Sequence, residues 1–232
     1  MTKQSNVVIV PLDVPSLDQA IALIDALPEV NFWKVGLELF VATGSEVLKY
    51  LKEKNKKIFL DLKFHDIPNT VAGACRSAKE YDVDLLTMHA VAGQEAMQRA
   101  KDALGDSTTK LIAITVLTSL SAEHLRDDLK ISLELAAFAE HMAKLVKTCG
   151  LDGAVCSPHE ASKLRAIGGE GFTLVCPGVR PTWAQTGDQQ RIMTPADAVK
   201  QGANHLVIGR PITKAANPQE AWQKIQAEIA IA

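Results

Sequence analysis

Lys57-Ile-Phe-Leu-Asp-Leu-Lys-Phe-His-Asp-Ile-Pro-Asn-Thr70 begins as a buried strand and ends as something a core does not need. Ile58, Phe59 and Leu60 form the continuous apolar lead of a strand covered on both faces. Asp61, Lys63 and Asp66 then place three charges of alternating sign within six positions. Side chains two apart on a strand share a face, so Asp61 and Lys63 point the same way. If that face lines a closed barrel, an ammonium is held beside carboxylates with little water around it. Such an arrangement makes a poor core and a good proton donor.

Outward from this stretch, short β-branched runs alternate with helix-period segments along the whole chain. Strands are predicted at 7–14, 32–39, 57–64, 84–90, 110–118, 153–157, 173–179 and 205–210. The clearest helix is predicted over 131–149, where Ile131, Leu135, Phe138, Met142 and Leu145 recur at helical spacing and Gly150 marks the stop. Ser16 after Pro15, and Thr194 before Pro195, read as helix caps. No linker, repeat array or low-complexity stretch interrupts the pattern. The chain is therefore read as one (β/α)8 TIM-barrel domain over residues 1–232. A doubly wound open sheet is the alternative, and no GxGxxG follows the first strand to support its dinucleotide-binding form.

Composition agrees with a soluble globular chain that buries one large core: 232 residues, 47% hydrophobic and 22% charged. The net charge of −2 gives no general attraction to nucleic acid or membrane, so affinity for a phosphate must come from a local site. No apolar run approaches the roughly 18 residues of a membrane span, and the polar Met1–Asn6 leads directly into a strand. The four cysteines show no CxxC or zinc-ligand spacing and are expected to be reduced, as in a cytoplasmic protein. Cys176, close to a candidate site, is read as a small buried hydrophobe. The histidines form no HExxH or paired-ligand pattern, so no metal site is expected, and His89 is read as structural.

In a barrel of this kind the chemistry sits at the C-terminal ends of the strands. Asp13 ends the first strand, Asp61 and Lys63 the third, His89 the fourth, Thr118 and Ser119 the fifth, and Arg210 the eighth, while Arg180 follows the seventh. Lys34 and Glu38 lie in the second, Lys34 early in it and Glu38 as a further polar wall residue. Lys63, flanked by Asp61 and Asp66, is expected to stay charged. Each carboxylate contact at about 5 Å and an effective dielectric of about 20 contributes roughly 3 kcal/mol before desolvation. Lys34 extends the set into an alternating Lys-Asp network. An ion-pair cluster that merely braces the barrel is the plainer reading, but the gathering of several charges at the functional rim weighs against it.

A phosphate site is expected between Pro177-Gly-Val-Arg180 and Ile208-Gly-Arg-Pro211, the loops that often bind phosphate in barrels. Gly209 would admit the oxygens close to the backbone, and Arg210 would supply a bidentate, permanently charged fork. The long polar connection over 180–193, with Gly187 as hinge and Gln185 or Gln189 reaching the ligand, reads as a lid.

These residues together resemble the orotidine 5′-phosphate decarboxylase family in its bacterial form, over essentially the whole chain. The resemblance rests on Leu12-Asp13, Lys34-Val-Gly36, the string Asp61 to Thr70, and Leu117-Thr-Ser119. It continues in Pro177-Gly-Val-Arg-Pro181, Gly187-Asp-Gln189, Arg191, Thr194-Pro195 and Gly209-Arg210. One departure is Ala92 before Gly93, where the family usually carries a glycine pair.

The resemblance implies a homodimer with shared sites. Asp61 and Lys63 would act with Lys34 in one subunit, while Asp66 and Thr70 reach in from the other. Asp13, Lys34, Asp66 and Thr70 would hold the ribose hydroxyls, and Thr118 and Pro177 would border the pyrimidine. Gln189, Gly209, Arg210 and Arg180 would hold the phosphate. The implied reaction converts orotidine 5′-monophosphate to UMP with no metal or organic cofactor. Two other readings remain open. One is an Mg²⁺-dependent keto-sugar-phosphate enzyme that shares the DxKxxD motif; the other is a non-catalytic nucleotide-binding barrel.

Overall fold

The computed structural model describes residues 7–184 and 193–231. Eight parallel strands close into a barrel in chain order. They are β1 (Val8–Pro11), β2 (Phe32–Gly36), β3 (Lys57–Phe64), β4 (Leu85–His89), β5 (Lys110–Ile114), β6 (Gly153–Val155), β7 (Thr173–Cys176) and β8 (His205–Val207). The helices among the described residues begin with α1 (Leu17–Ala26), α2 (Leu37–Thr43), α3 (Glu46–Glu53), α4 (Pro68–Lys79) and α5 (Gln94–Leu104). They continue with α6 (Leu135–Thr148), α7 (Ala161–Gly168), α8 (Pro195–Lys200), α9 (Arg210–Thr213) and α10 (Pro218–Ala230). This is the predicted (β/α)8 arrangement, and none of the helices is long and apolar enough to cross a membrane.

Strand alternation sorts the core into two layers. Ile9, Phe32, Phe59, Leu85, Ile112, Val155 and Val175 form a cluster inside the barrel, with Val207 packed against it. Their neighbours along the strands, among them Val8, Trp33, Ile58, Leu60, Leu86, Leu111, Ala154 and Leu174, form the larger cluster under the helices. Both faces of each strand are thus covered, which is why these segments read as unbroken apolar runs. The interior cluster fills the lower barrel, and one step further along β2 and β3 the inward positions become Lys34 and Asp61.

Ser16 and Thr194 cap α1 and α8 as predicted, accepting from Gln19 N and Asp197 N. Three predictions need correction. The strands stop one to four residues short of their predicted ends, except β3. Helix α6 starts at Leu135 rather than 131, because the Ile131 N–H is drawn to Leu125 O, closing the preceding turn (3.0 Å). Glu38 is not on β2: the chain turns into α2 at Leu37, Leu39 goes to the core and Glu38 is left exposed. Ala92 sits in a short 3₁₀ turn, Ala90–Ala92, and the left-handed backbone (φ 90°) falls on Gly93, so the turn needs only one glycine there.

Candidate active site

The site is built on an irregularity in β3. Its register with β4 runs Phe59 with Leu85 and Leu60 with Leu86, then resumes at Phe64 with Met88. Asp61, Leu62 and Lys63 therefore face the single residue Thr87, a bulge that re-aims the strand end. Lys63 takes a left-handed backbone (φ 52°) there, uncommon for a residue with a side chain. Such strain costs on the order of 1–3 kcal/mol and persists only where surrounding contacts fix it.

Those contacts form a connected set. Lys63 Nζ donates to Asp61 Oδ2 at 2.8 Å. The same oxygen lies 3.7 Å from Lys34 Nζ, which in turn donates to Asp13 Oδ1 at 3.1 Å. Asp13, Lys34, Asp61 and Lys63 thus alternate in sign from β1 to β3; the sequence places Asp66 at the end of this series, and the structure puts Asp13 at its other end instead. Lys34 starts mid-strand, and its long side chain reaches the rim. Gly36 makes room for it, since a Cβ there would lie 2.8 Å from Lys34 Nζ. The other Asp61 oxygen, Oδ1, accepts from the Thr87 hydroxyl at 3.0 Å, and that hydroxyl accepts from Lys63 N at 2.9 Å. Thr87 is fully buried and was passed over in the sequence. The available signal was a hydroxyl at the inward position two after Leu85, in a strand otherwise apolar up to His89.

Two cavities meet above this network. The first, about 190 Å³, is walled by Phe59, Ile114, Val155 and Thr118, with Asp61 and Lys63 on one side. The second, about 210 Å³, is lined by Asp13, Arg180, Gly209 and Arg210. Lys34, Pro177 and Val207 line both. An apolar slot with a charged edge thus opens into a basic chamber. Gly209 serves that chamber by packing: a Cβ there would meet Pro11 Cγ at 2.8 Å.

Asp66 and Thr70 stand apart from the cluster within this chain. Asp66 is exposed, and its Oδ1 accepts from Ile67 N at 2.6 Å at the entry to α4, where Thr70 lies exposed in the first turn. Only Asp61 of the two expected carboxylates touches Lys63 here. His89 is half-buried at the rim, its ring 5.5 Å from that of His65. Burial first, then His65 and Lys63, hold its pKa below the ordinary histidine value. Cys176 is buried, with its Sγ 3.8 Å from Cys156 Sγ. Gln185, Gly187, Gln189 and Arg191 lie outside the described residues.

Comparison with known proteins bears on what this geometry serves. The sequence model of the orotidine 5′-phosphate decarboxylase / HUMPS family matches residues 6–225. Orotidine 5′-phosphate decarboxylase of Gloeothece citriformis is 63% identical over 225 residues, covering 96% of this chain and 97% of the relative. The enzyme of the same name from a Nostoc species is 58% identical over 229 residues, covering 96% of each. The chain belongs to the orotidine 5′-phosphate decarboxylase family.

A crystal structure of a family member, orotidine 5′-phosphate decarboxylase from Lactobacillus acidophilus, superposes with a TM-score of 0.85 at 38% identity. It covers 97% of this chain and 99% of that one, so the barrel is the family's over its whole length. The family model's name spans two kinds of enzyme, and the similar curated relatives carry the decarboxylase name. Among the described residues, no group of three or more His, Cys, Asp or Glu side chains sits where it could hold a metal ion.

Proposed function

We propose that this chain, as one catalytic barrel, decarboxylates orotidine 5′-monophosphate to UMP and CO2, the last step of de novo pyrimidine biosynthesis. Lys63 is the electrostatic stabiliser and proton donor. The observation that carries this reading is the 2.8 Å contact between Lys63 Nζ and the buried Asp61 carboxylate, at the edge of an apolar cavity that opens into an arginine-lined one. The pyrimidine occupies the first cavity, bordered by Thr118 and Pro177. The phosphate occupies the second, held by Arg180, Gly209, Arg210 and Gln189, while Asp13 and Lys34 between them take ribose hydroxyls.

The bond from the ring carbon to the carboxylate breaks and leaves its electron pair on an sp² carbon that no ring carbonyl delocalises well. A fixed ammonium beside that carbon lowers the energy of the charge as it develops, at no cost in reorganisation. Lys63 then gives its proton to the carbon, forming the C–H bond of UMP, and regains a proton from solvent. Asp61 holds the Lys63 ammonium in aim through the 2.8 Å contact and crowds the departing carboxylate. Phosphate contacts made far from the reacting carbon supply binding energy that the transition state uses.

The active unit is a homodimer in which Asp66 and Thr70 complete the neighbouring subunit's site. Supporting this, exposed apolar side chains occur in that arm and after the two neighbouring strands: Ile67 at 67%, Val41 at 82%, Leu37 at 53% and Val91 at 47%. They follow β2, β3 and β4, three adjacent strands, and so collect on one side of the rim. The four free thiols suit a cytoplasmic location.

Lys63→Ala tests the assignment. It should lower kcat by at least about a thousandfold while UMP still binds within about tenfold of the native affinity. Turnover near the native rate in that variant would refute it. Following orotidylate absorbance with and without EDTA separates this reaction from the Mg²⁺-dependent keto-sugar-phosphate reading.

A further inference from the structure

We infer that Thr87 is a positioning residue for this reaction: one buried hydroxyl sets both the backbone of Lys63 and the carboxylate of Asp61. The inference rests on the reading of Lys63 as the acting ammonium. Because β3 sets three residues against one at the bulge, the regular ladder partner of the Lys63 N–H is displaced. The Thr87 hydroxyl takes its place at 2.9 Å.

The direction of each bond follows from the groups. A hydroxyl has one proton and two lone pairs, and the Lys63 N–H can only donate to it. The hydroxyl proton is then free for Asp61 Oδ1, 3.0 Å away, which as a carboxylate oxygen can only accept. With Oδ1 committed to Thr87, Oδ2 faces the ammonium groups: Lys63 Nζ at 2.8 Å and Lys34 Nζ at 3.7 Å. The Thr87 hydroxyl oxygen thereby holds the lysine at its main chain and, through Asp61, at its tip. Thr87 is 0% exposed, so bulk water cannot stand in for the hydroxyl. Its β-branched side chain has little torsional freedom, which fixes the hydroxyl further. Thr87 lines neither cavity, so its effect falls on the aim of Lys63 rather than on ring or phosphate binding.

Thr87→Val keeps the shape and removes both hydrogen bonds, and Thr87→Ser keeps the hydroxyl and removes the methyl. Thr87→Val should lower kcat by about 10- to 100-fold, with KM and the dissociation constant of UMP within about threefold of native. Thr87→Ser should return kcat to within about threefold of native. If the valine variant does not fold, Thr87→Ala, which adds no new contact, takes its place in the comparison. The inference is overturned if loss of the hydroxyl leaves kcat native while Lys63→Ala is inactive. It is also overturned if serine loses as much as valine, or if the loss falls on KM and UMP affinity. Native turnover by Lys63→Ala would instead remove the lysine reading, and Thr87 with it.

Discussion

His89 ends β4 with its ring against that of His65 and close to the charged pair of Lys63 and Asp61. Burial is the main cause of its lowered pKa, His65 and Lys63 add to it, and Asp61 opposes it. The unfolded chain, with an ordinary histidine pKa of about 6.5, therefore takes up a proton before the folded chain does. Stability contributed this way is fully present above about pH 6.5 and is lost as pH falls from there through the folded pKa. Thermal melting measured from pH 7 to 5 should fall less steeply for His89→Gln than for the native protein; equal slopes would show that His89 contributes nothing. The structural role expected of His89 can thus be tested in a specific form, a ring whose protonation is opposed by burial and by a neighbouring cation. Charge was the legible part of the site, since Lys34, Asp61 and Lys63 stand out in apolar strands and Asp13 just beyond one. Thr87 carries no charge, and the left-handed φ of Lys63 falls on a residue type that gives no sign of it.

At the level of elements, one device recurs around the foot of the barrel. The residues just before β4, β6 and β8, namely Asp84, Asp152 and Asn204, each accept through a side-chain oxygen from the second N–H of the preceding strand. Those donors are Ile58 N at 2.8 Å, Leu111 N at 2.8 Å and Leu174 N at 2.7 Å. The main-chain N–H of each clamp residue returns to the carbonyl of that same strand residue. Asn204 also accepts from Arg165, which reaches the carbonyls of Gly169, Phe172 and Gly202 as well. Asn204→Ala leaves the buried Leu174 N–H without its acceptor and should destabilise the fold by about 1–3 kcal/mol. Because the clamp lies at the end of the barrel away from the site, kcat should not change. Urea unfolding alongside an activity assay checks both halves, and an unchanged unfolding midpoint would dismiss the clamp. The start of β2, β3, β5, β6, β7 and β8 was legible to the residue, because an apolar run begins at Phe32 and one residue after Lys57, Lys110, Gly153, Thr173 and His205. Most strand ends were not. Val116, Leu117 and Pro177 lie beyond β5 and β7 yet wall the cavity, so hydrophobicity does not switch off where the ladder does.

For the whole molecule, the decisive arrangement is the proposed division of each site between two chains. Spacing within one chain could not supply it: Asp66 reads as a flank of Lys63, yet in the protomer it is exposed and turned to its own helix start. The dimer makes sense of both facts if Asp66 serves the neighbour. The apolar side chains on that side of the rim then become interface rather than surface, consistent with the rule that large exposed apolar patches mark contacts. A two-fold axis makes the exchange reciprocal, so each chain gives one Asp66 and receives one. Lys63→Ala and Asp66→Asn homodimers should each be nearly inactive. When the two are dissociated and reassembled together, half of the dimers are mixed. In a mixed dimer the Asp66→Asn chain keeps its own Lys63 and receives an intact Asp66, while the other site has neither. Equal mixing should therefore restore about a quarter of native activity. The recovery should require conditions that exchange subunits and be absent on simple addition. No recovery after verified exchange would place Asp66 in the site of its own chain and remove the shared-site dimer.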